Sequence, residues 1–100
     1  MKTTQSNPRP LVTIDVLRHG YGRRYTGLPV DAVSAEHVLI DCSGGYLRPE
    51  HFDLRPGDIV RWQSGGQYFE ASIAVVDRQK HIVQVALHTA HELPADFFPY

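Results

Sequence analysis

Tyr68-Phe-Glu-Ala-Ser-Ile-Ala-Val-Val-Asp-Arg-Gln-Lys-His-Ile-Val-Gln-Val-Ala-Leu-His88 carries the clearest alternation of apolar and polar residues in the chain. Phe69, Ala71, Ile73 and Val75 recur at every second place, and so do Val83, Val85 and Leu87. That is the period of a strand with one buried face. Asp77 to Lys80 are polar turn formers between the two runs. Strands over Tyr68–Val76 and His81–His88 are therefore expected to fold back on each other as a hairpin. A hairpin of this size cannot bury a core alone, so other strands must pack against it.

Working outward, Ser64-Gly-Gly66 reads as a second hairpin turn. Before it, a strand over Asp58–Gln63 puts Val60 and Trp62 inward and Arg61 and Gln63 outward. Leu54-Arg-Pro-Gly-Asp58 is a turn, in which Pro56 fixes φ and Gly57 supplies conformational freedom. Glu36–Asp41 is a strand that Cys42-Ser-Gly-Gly45 ends, with extended chain resuming at Tyr46 and Leu47. Leu11–Leu17 is the first strand, with Val12, Ile14 and Val16 on one face and Thr13 and Asp15 on the other. Leu28 to Ala35 is ambiguous, with room for a turn of helix around Asp31 to Ala35. Residues 1–10 read as a polar, flexible arm interrupted by Pro8 and Pro10, and 11–100 as one domain. Phe97 and Phe98 are expected to dock on that domain, because two adjacent exposed Phe would favour aggregation. Short strands separated by Gly and Pro turns predict a mostly all-β fold: a small antiparallel β-barrel with little helix.

Composition narrows the function classes. The hydrophobic fraction of 42% and charged fraction of 21% are those of a globular chain rather than a disordered one. A formal net charge of -1 gives no global attraction to nucleic acid or membrane, so any anion site must be a local patch. Cys42 stands alone, which excludes an internal disulfide and a thiolate zinc cluster. No apolar run follows Lys2, and none approaches the length of a membrane span, so the reading is cytoplasmic.

Catalytic chemistry finds little to use. His88 and His91 stand three apart, but on a segment leaving a strand rather than on a helix face, so no metal site is expected. Cys42 and Ser43 occupy a glycine-rich loop with no recognisable base or oxyanion hole, so no enzyme activity and no cofactor are expected. Arg18-His-Gly-Tyr-Gly-Arg-Arg-Tyr25 is the sharpest local feature. Its guanidinium groups suit phosphate oxygens and its aromatic rings suit a base, though a solvated hairpin loop accounts for it equally well. For a phosphate-bearing ligand the available donors are Arg23, Arg24 and the backbone N–H groups of Ser43, Gly44 and Gly45. Asp41 would then serve a base edge or orient an arginine.

Asp41-Cys-Ser-Gly-Gly-Tyr-Leu47, Leu54-Arg-Pro-Gly-Asp-Ile-Val60, Phe69-Glu-Ala-Ser-Ile-Ala-Val-Val76 and Val83-Gln-Val-Ala-Leu87 together resemble a PilZ domain over about Glu36 to Leu87. The family's D-x-S-x-x-G turn is matched at Asp41 and Ser43, with Gly44 and Gly45 ahead of the sixth place, where Tyr46 stands. Its R-x-x-x-R motif has no counterpart ahead of the first strand. The resemblance implies a β-barrel and a binding or regulatory adaptor, working through cyclic di-GMP or, with this incomplete ligand motif, a protein partner. Pro56-Gly-Asp58 and Val76-Asp-Arg-Gln-Lys80 also resemble a KOW or Tudor-type small barrel, which implies nucleic acid or the transcription machinery as partner. A structural protein of a phage or mobile element is a third alternative.

Overall fold

The computed structural model describes residues 12–45, 47–94 and 96. The arm at 1–10, the extended restart at Tyr46 and the docking of Phe97 and Phe98 lie outside them. Seven strands follow in order: β1 (Val12–Arg18), β2 (Gly22–Val30), β3 (Ala32–Val33), β4 (His37–Asp41), β5 (Ile59–Ser64), β6 (Gln67–Arg78) and β7 (Ile82–Glu92). A single 3-10 turn, Pro49–His51, is the one helical element among the described residues. The expectation of a mostly all-β, barrel-like fold is met.

The strands form one antiparallel sheet in the order β2-β1-β5-β6-β7-β4-β3. Its two outermost members are consecutive in the chain, with only Asp31 between them. One extended segment thus pairs with β1 through its first part and with β4 through its last, and the sheet must curl to bring those partners together. Asp31 fixes the bend. Its N–H donates to the Leu39 carbonyl at 2.8 Å, and its Oδ2 accepts the Asp41 N–H at 2.6 Å. The helical turn considered around Asp31 to Ala35 is therefore overturned, because β4 offers these backbone groups a sheet partner.

Inside the curl, Ile14 and Val16 of β1 meet Val60 and Trp62 of β5, Ala71 and Ile73 of β6, and Val83, Val85 and Leu87 of β7. All are buried, as the alternation requires. Trp62 stacks on Phe69, its cross-strand neighbour, with ring centroids 5.7 Å apart. Gly65 and Gly66, with φ of 60° and 82°, form the two-residue turn joining β5 to β6. Both residues take positive φ, the type I′ geometry that follows strand twist.

The central hairpin is longer than its sequence reading, because β7 runs on past His88 through His91 to Glu92 where β6 offers it a partner. Its register slips at two places, the first between Glu70 and Ser72. Between Ile73 and Val75 the register slips, because Ile73 pairs with Leu87 and Val75 with the adjacent Ala86. This bulge resets the alternation. Val75 is turned outward, 56% exposed, and Val76 packs against the core instead. The strands also continue through Asp77 and Arg78, which pair with Gln84 and Val83. The turn is narrowed to Lys80 and His81, closed by the Gln79 N–H donating to the Ile82 carbonyl at 2.8 Å.

From Cys42 to Asp58 no strand forms among the described residues. Leu47 is exposed, and Arg48 after it is extended and leads into the 3-10 turn. The segment behaves as a strap: Phe52 and Leu54 are buried in the core, and polar residues beside them reach back to the sheet.

Candidate functional site

Two neighbourhoods of this strap contain the residues the sequence singled out. The first lies at the end of the β1–β2 hairpin. Arg18 is the last residue of β1, and its side chain is only 10% exposed. Its Nε and Nη2 donate to the two Asp58 carboxylate oxygens at 2.9 Å each. Its Nη1 and Nη2 reach the Asp53 carboxylate at 3.0 and 3.2 Å, and Nη2 also donates to the Asp53 carbonyl at 3.0 Å. A fork with this geometry matches a carboxylate bidentately, so both aspartates are pulled onto one guanidinium.

Other groups complete the cluster. Arg24 Nη2 donates to Asp53 Oδ2 at 2.5 Å and Arg55 Nε to Asp53 Oδ1 at 3.1 Å. The Tyr25 hydroxyl accepts the Asp53 N–H at 2.9 Å. Asp58 Oδ2 accepts the Arg55 N–H at 3.0 Å, which binds the Pro56-Gly57 turn to the same carboxylate. Hydrogen bonding from Arg18, then from Arg24, holds the Asp53 carboxyl well below the usual range. Hydrogen bonds to Asp58 and Asp53 keep Arg18 charged more firmly than usual. Tyr21 projects into solvent at the hairpin tip, with the Arg24 guanidinium 5.4 Å from its ring centroid.

Arg23 turns to the other side of β2, with Nη1 3.8 Å from Asp15 Oδ2. Both expected phosphate donors are therefore engaged by carboxylates of the chain itself. Arg78, which the sequence assigns to a hairpin turn, lies in β6 and works on the strap. It donates from Nε to the Pro49 carbonyl at 3.3 Å and from Nη2 to those of Phe52 and Leu54 at 2.8 and 3.0 Å.

The second neighbourhood is the loop after β4. Asp41 Oδ1 accepts the Ser43 N–H at 2.9 Å, a side-chain turn that ends the strand, and Gly45 N–H donates to the Cys42 carbonyl at 3.3 Å. Ser43, Gly44 and Gly45 are exposed. The loop borders a pocket of about 480 Å³ between Leu28 to Asp31 on one side, Ile40 to Cys42 on another, and Gly45, Leu47 and Phe52. Its walls are chiefly apolar, with Asp31 and Asp41 the two carboxylates among them. Burial raises the pKa of the Cys42 thiol, and Asp41, Asp31 and Glu50 push in the same direction. The thiol is thus protonated at neutral pH, a poor nucleophile.

The expected site residues divide between these places. Asp41 and Gly45 line the pocket, and Ser43 and Gly44 lie in the loop that borders it. Arg23 and Arg24 do not line it. Arg24 stands four residues along β2 from Leu28, about 13 Å at strand rise. The sequence reading missed Asp53 and Asp58 as the partners of Arg18, and Leu28, Pro29 and Val30 as a pocket wall. Among the described residues, no group of three or more His, Cys, Asp or Glu is placed to hold a metal ion. Nor is any helix among them long and apolar enough to cross a membrane.

Fold and site together define a small, curled all-β domain with an ion-locked strap and an apolar mouth. Comparison with models of known families, with curated proteins and with solved structures finds no match.

Proposed function

We propose that the protein is a non-catalytic, PilZ-like binding or adaptor module whose recognition surface is the apolar mouth beside the Cys42 loop. One observation carries this reading. The arginines that a phosphate ligand would need are ion-paired with Asp53 and Asp15, whereas the Asp41 to Gly45 loop opens on a solvent-accessible apolar pocket. Guanidinium groups already paired with carboxylates have part of their charge offset within the chain, so an added phosphate gains less from them than from unpaired arginines. A pocket edged by Asp31 and Asp41 also repels an anion. Adaptor action then runs through apolar contact with a partner, and a small barrel with a rigid sheet is a scaffold for such contacts.

Titrating the full chain with cyclic di-GMP and, separately, with the neutral dye Nile red tests the reading. Nile red is expected to bind saturably and to lose at least tenfold in affinity on Leu47→Asp, while cyclic di-GMP shows no saturable binding. Saturable cyclic di-GMP binding abolished by Arg23→Ala plus Arg24→Ala would return the site to the arginines. Short RNA or DNA bound with steep salt dependence would favour the small nucleic-acid-binding barrel instead.

A further inference from the structure

We infer that this mouth takes an apolar side chain presented by a partner protein, with a Lys or Arg beside it in the partner's sequence. The inference rests on the reading above and adds the chemistry of the occupant.

Three features carry it. The pocket is large enough for a ligand, at about 480 Å³, and its walls include Leu28, Val30, Ile40 and Phe52, so the group that enters is apolar. The mouth is open, and Leu47 on its lip is 55% exposed. A small free ligand is held by enclosure, whereas an open apolar lip continues outward onto whatever presents the anchor, the arrangement of a protein interface. The polar part of the wall is acidic. Asp31 accepts one backbone N–H through Oδ2, and among the described residues no cation is paired with it. Asp41 stands beside it, also holding a backbone N–H. Arg48 follows Leu47 in the chain but does not line the pocket. An anchor followed by a cation therefore finds opposite charge at the rim, and one followed by a carboxylate finds like charge.

A random dodecapeptide display library, selected on the full chain, tests this without knowing the partner. The expected consensus is an aromatic or branched aliphatic residue with Lys or Arg one or two places away. A synthetic peptide of that consensus should lose at least tenfold in affinity on Leu47→Asp, a change at an exposed position that leaves the fold intact. Asp31→Asn keeps an acceptor for the Asp41 N–H but removes the charge. It should weaken the peptide about two- to fivefold, the range of an exposed ion pair. An acidic or charge-free consensus that is still lost on Leu47→Asp would overturn the charge inference while leaving the mouth as the binding face. Failure to enrich any peptide, binding indifferent to Leu47→Asp, or self-association of the chain through this face would overturn the inference altogether.

Discussion

The strap from Cys42 to Asp58 has two ends of opposite character. At the Asp53 to Asp58 end, two carboxylates bind the guanidinium groups of Arg18, Arg24 and Arg55, and the Tyr25 hydroxyl accepts the Asp53 N–H, with Arg24 Nε the one buried side-chain donor left without a partner among the described residues. At the Cys42 to Phe52 end, apolar side chains face an open pocket and an exposed leucine marks its rim. A conspicuous cluster of charge is not thereby a binding site. Charges that have internal partners hold the chain together, and the surface left without partners is the one that can recognise another molecule.

Breaking the ionic end should cost most. Asp58→Ala removes a carboxylate whose side chain is 3% exposed and strands much of the Arg18 fork. Loss of one member of a buried pair costs about 3–5 kcal/mol. Urea denaturation at neutral pH should show that loss, with the pocket's dye affinity unchanged in the fraction still folded. Arg78→Ala comes next. It removes the guanidinium that the Pro49, Phe52 and Leu54 carbonyls accept from, for about 1–2 kcal/mol, and should raise amide exchange across residues 49–54.

Acid sharpens the same contrast. The folded Asp53 carboxyl titrates well below its unfolded value of about 3.9. Its stabilising contribution is therefore fully present above that value and is lost as pH falls below about 4 towards the folded pKa. In a urea midpoint series from pH 7 to pH 2, Asp53→Asn should flatten the acid limb. Smallest of all should be the stability effect of Leu47→Asp at the apolar end. An exposed side chain with no hydrogen-bonded role shifts stability by no more than about 0.5 kcal/mol, even where it abolishes binding.

Much of the fold was legible because alternation reports burial directly. Ile14, Val16, Val60, Trp62, Ile73, Val83 and Val85 are all inside, as their spacing requires. The glycine turns at 57 and 65–66 were legible for a related reason, since they demand backbone angles that few other residues take. Val75 and Val76 show where such reading fails. Two adjacent valines fit either face, and only the pairing partner on β7 decides where a bulge falls. The closure of the sheet at Asp31 also depends on a partner distant in sequence, so propensity left that segment open.

Of the site, the Asp41 to Gly45 loop was legible as a turn. Its neighbours across the pocket, Leu28 to Val30, could not be read from spacing because the curl of the sheet brings them there. Arg23 and Arg24 were conspicuous for their charge, yet a sequence does not say whether an arginine meets a ligand or a carboxylate thirty residues away. Asp53 answers that question for Arg24, and no motif marked Asp53.

The central claim is that the arginines are structural and the mouth recognises. Nile red affinity of Arg24→Ala beside that of Leu47→Asp, each measured on folded protein, tests it most directly. The account predicts Arg24→Ala within twofold of the unaltered chain and Leu47→Asp weaker by at least tenfold. The reverse pattern, with binding lost on Arg24→Ala and kept on Leu47→Asp, would contradict it.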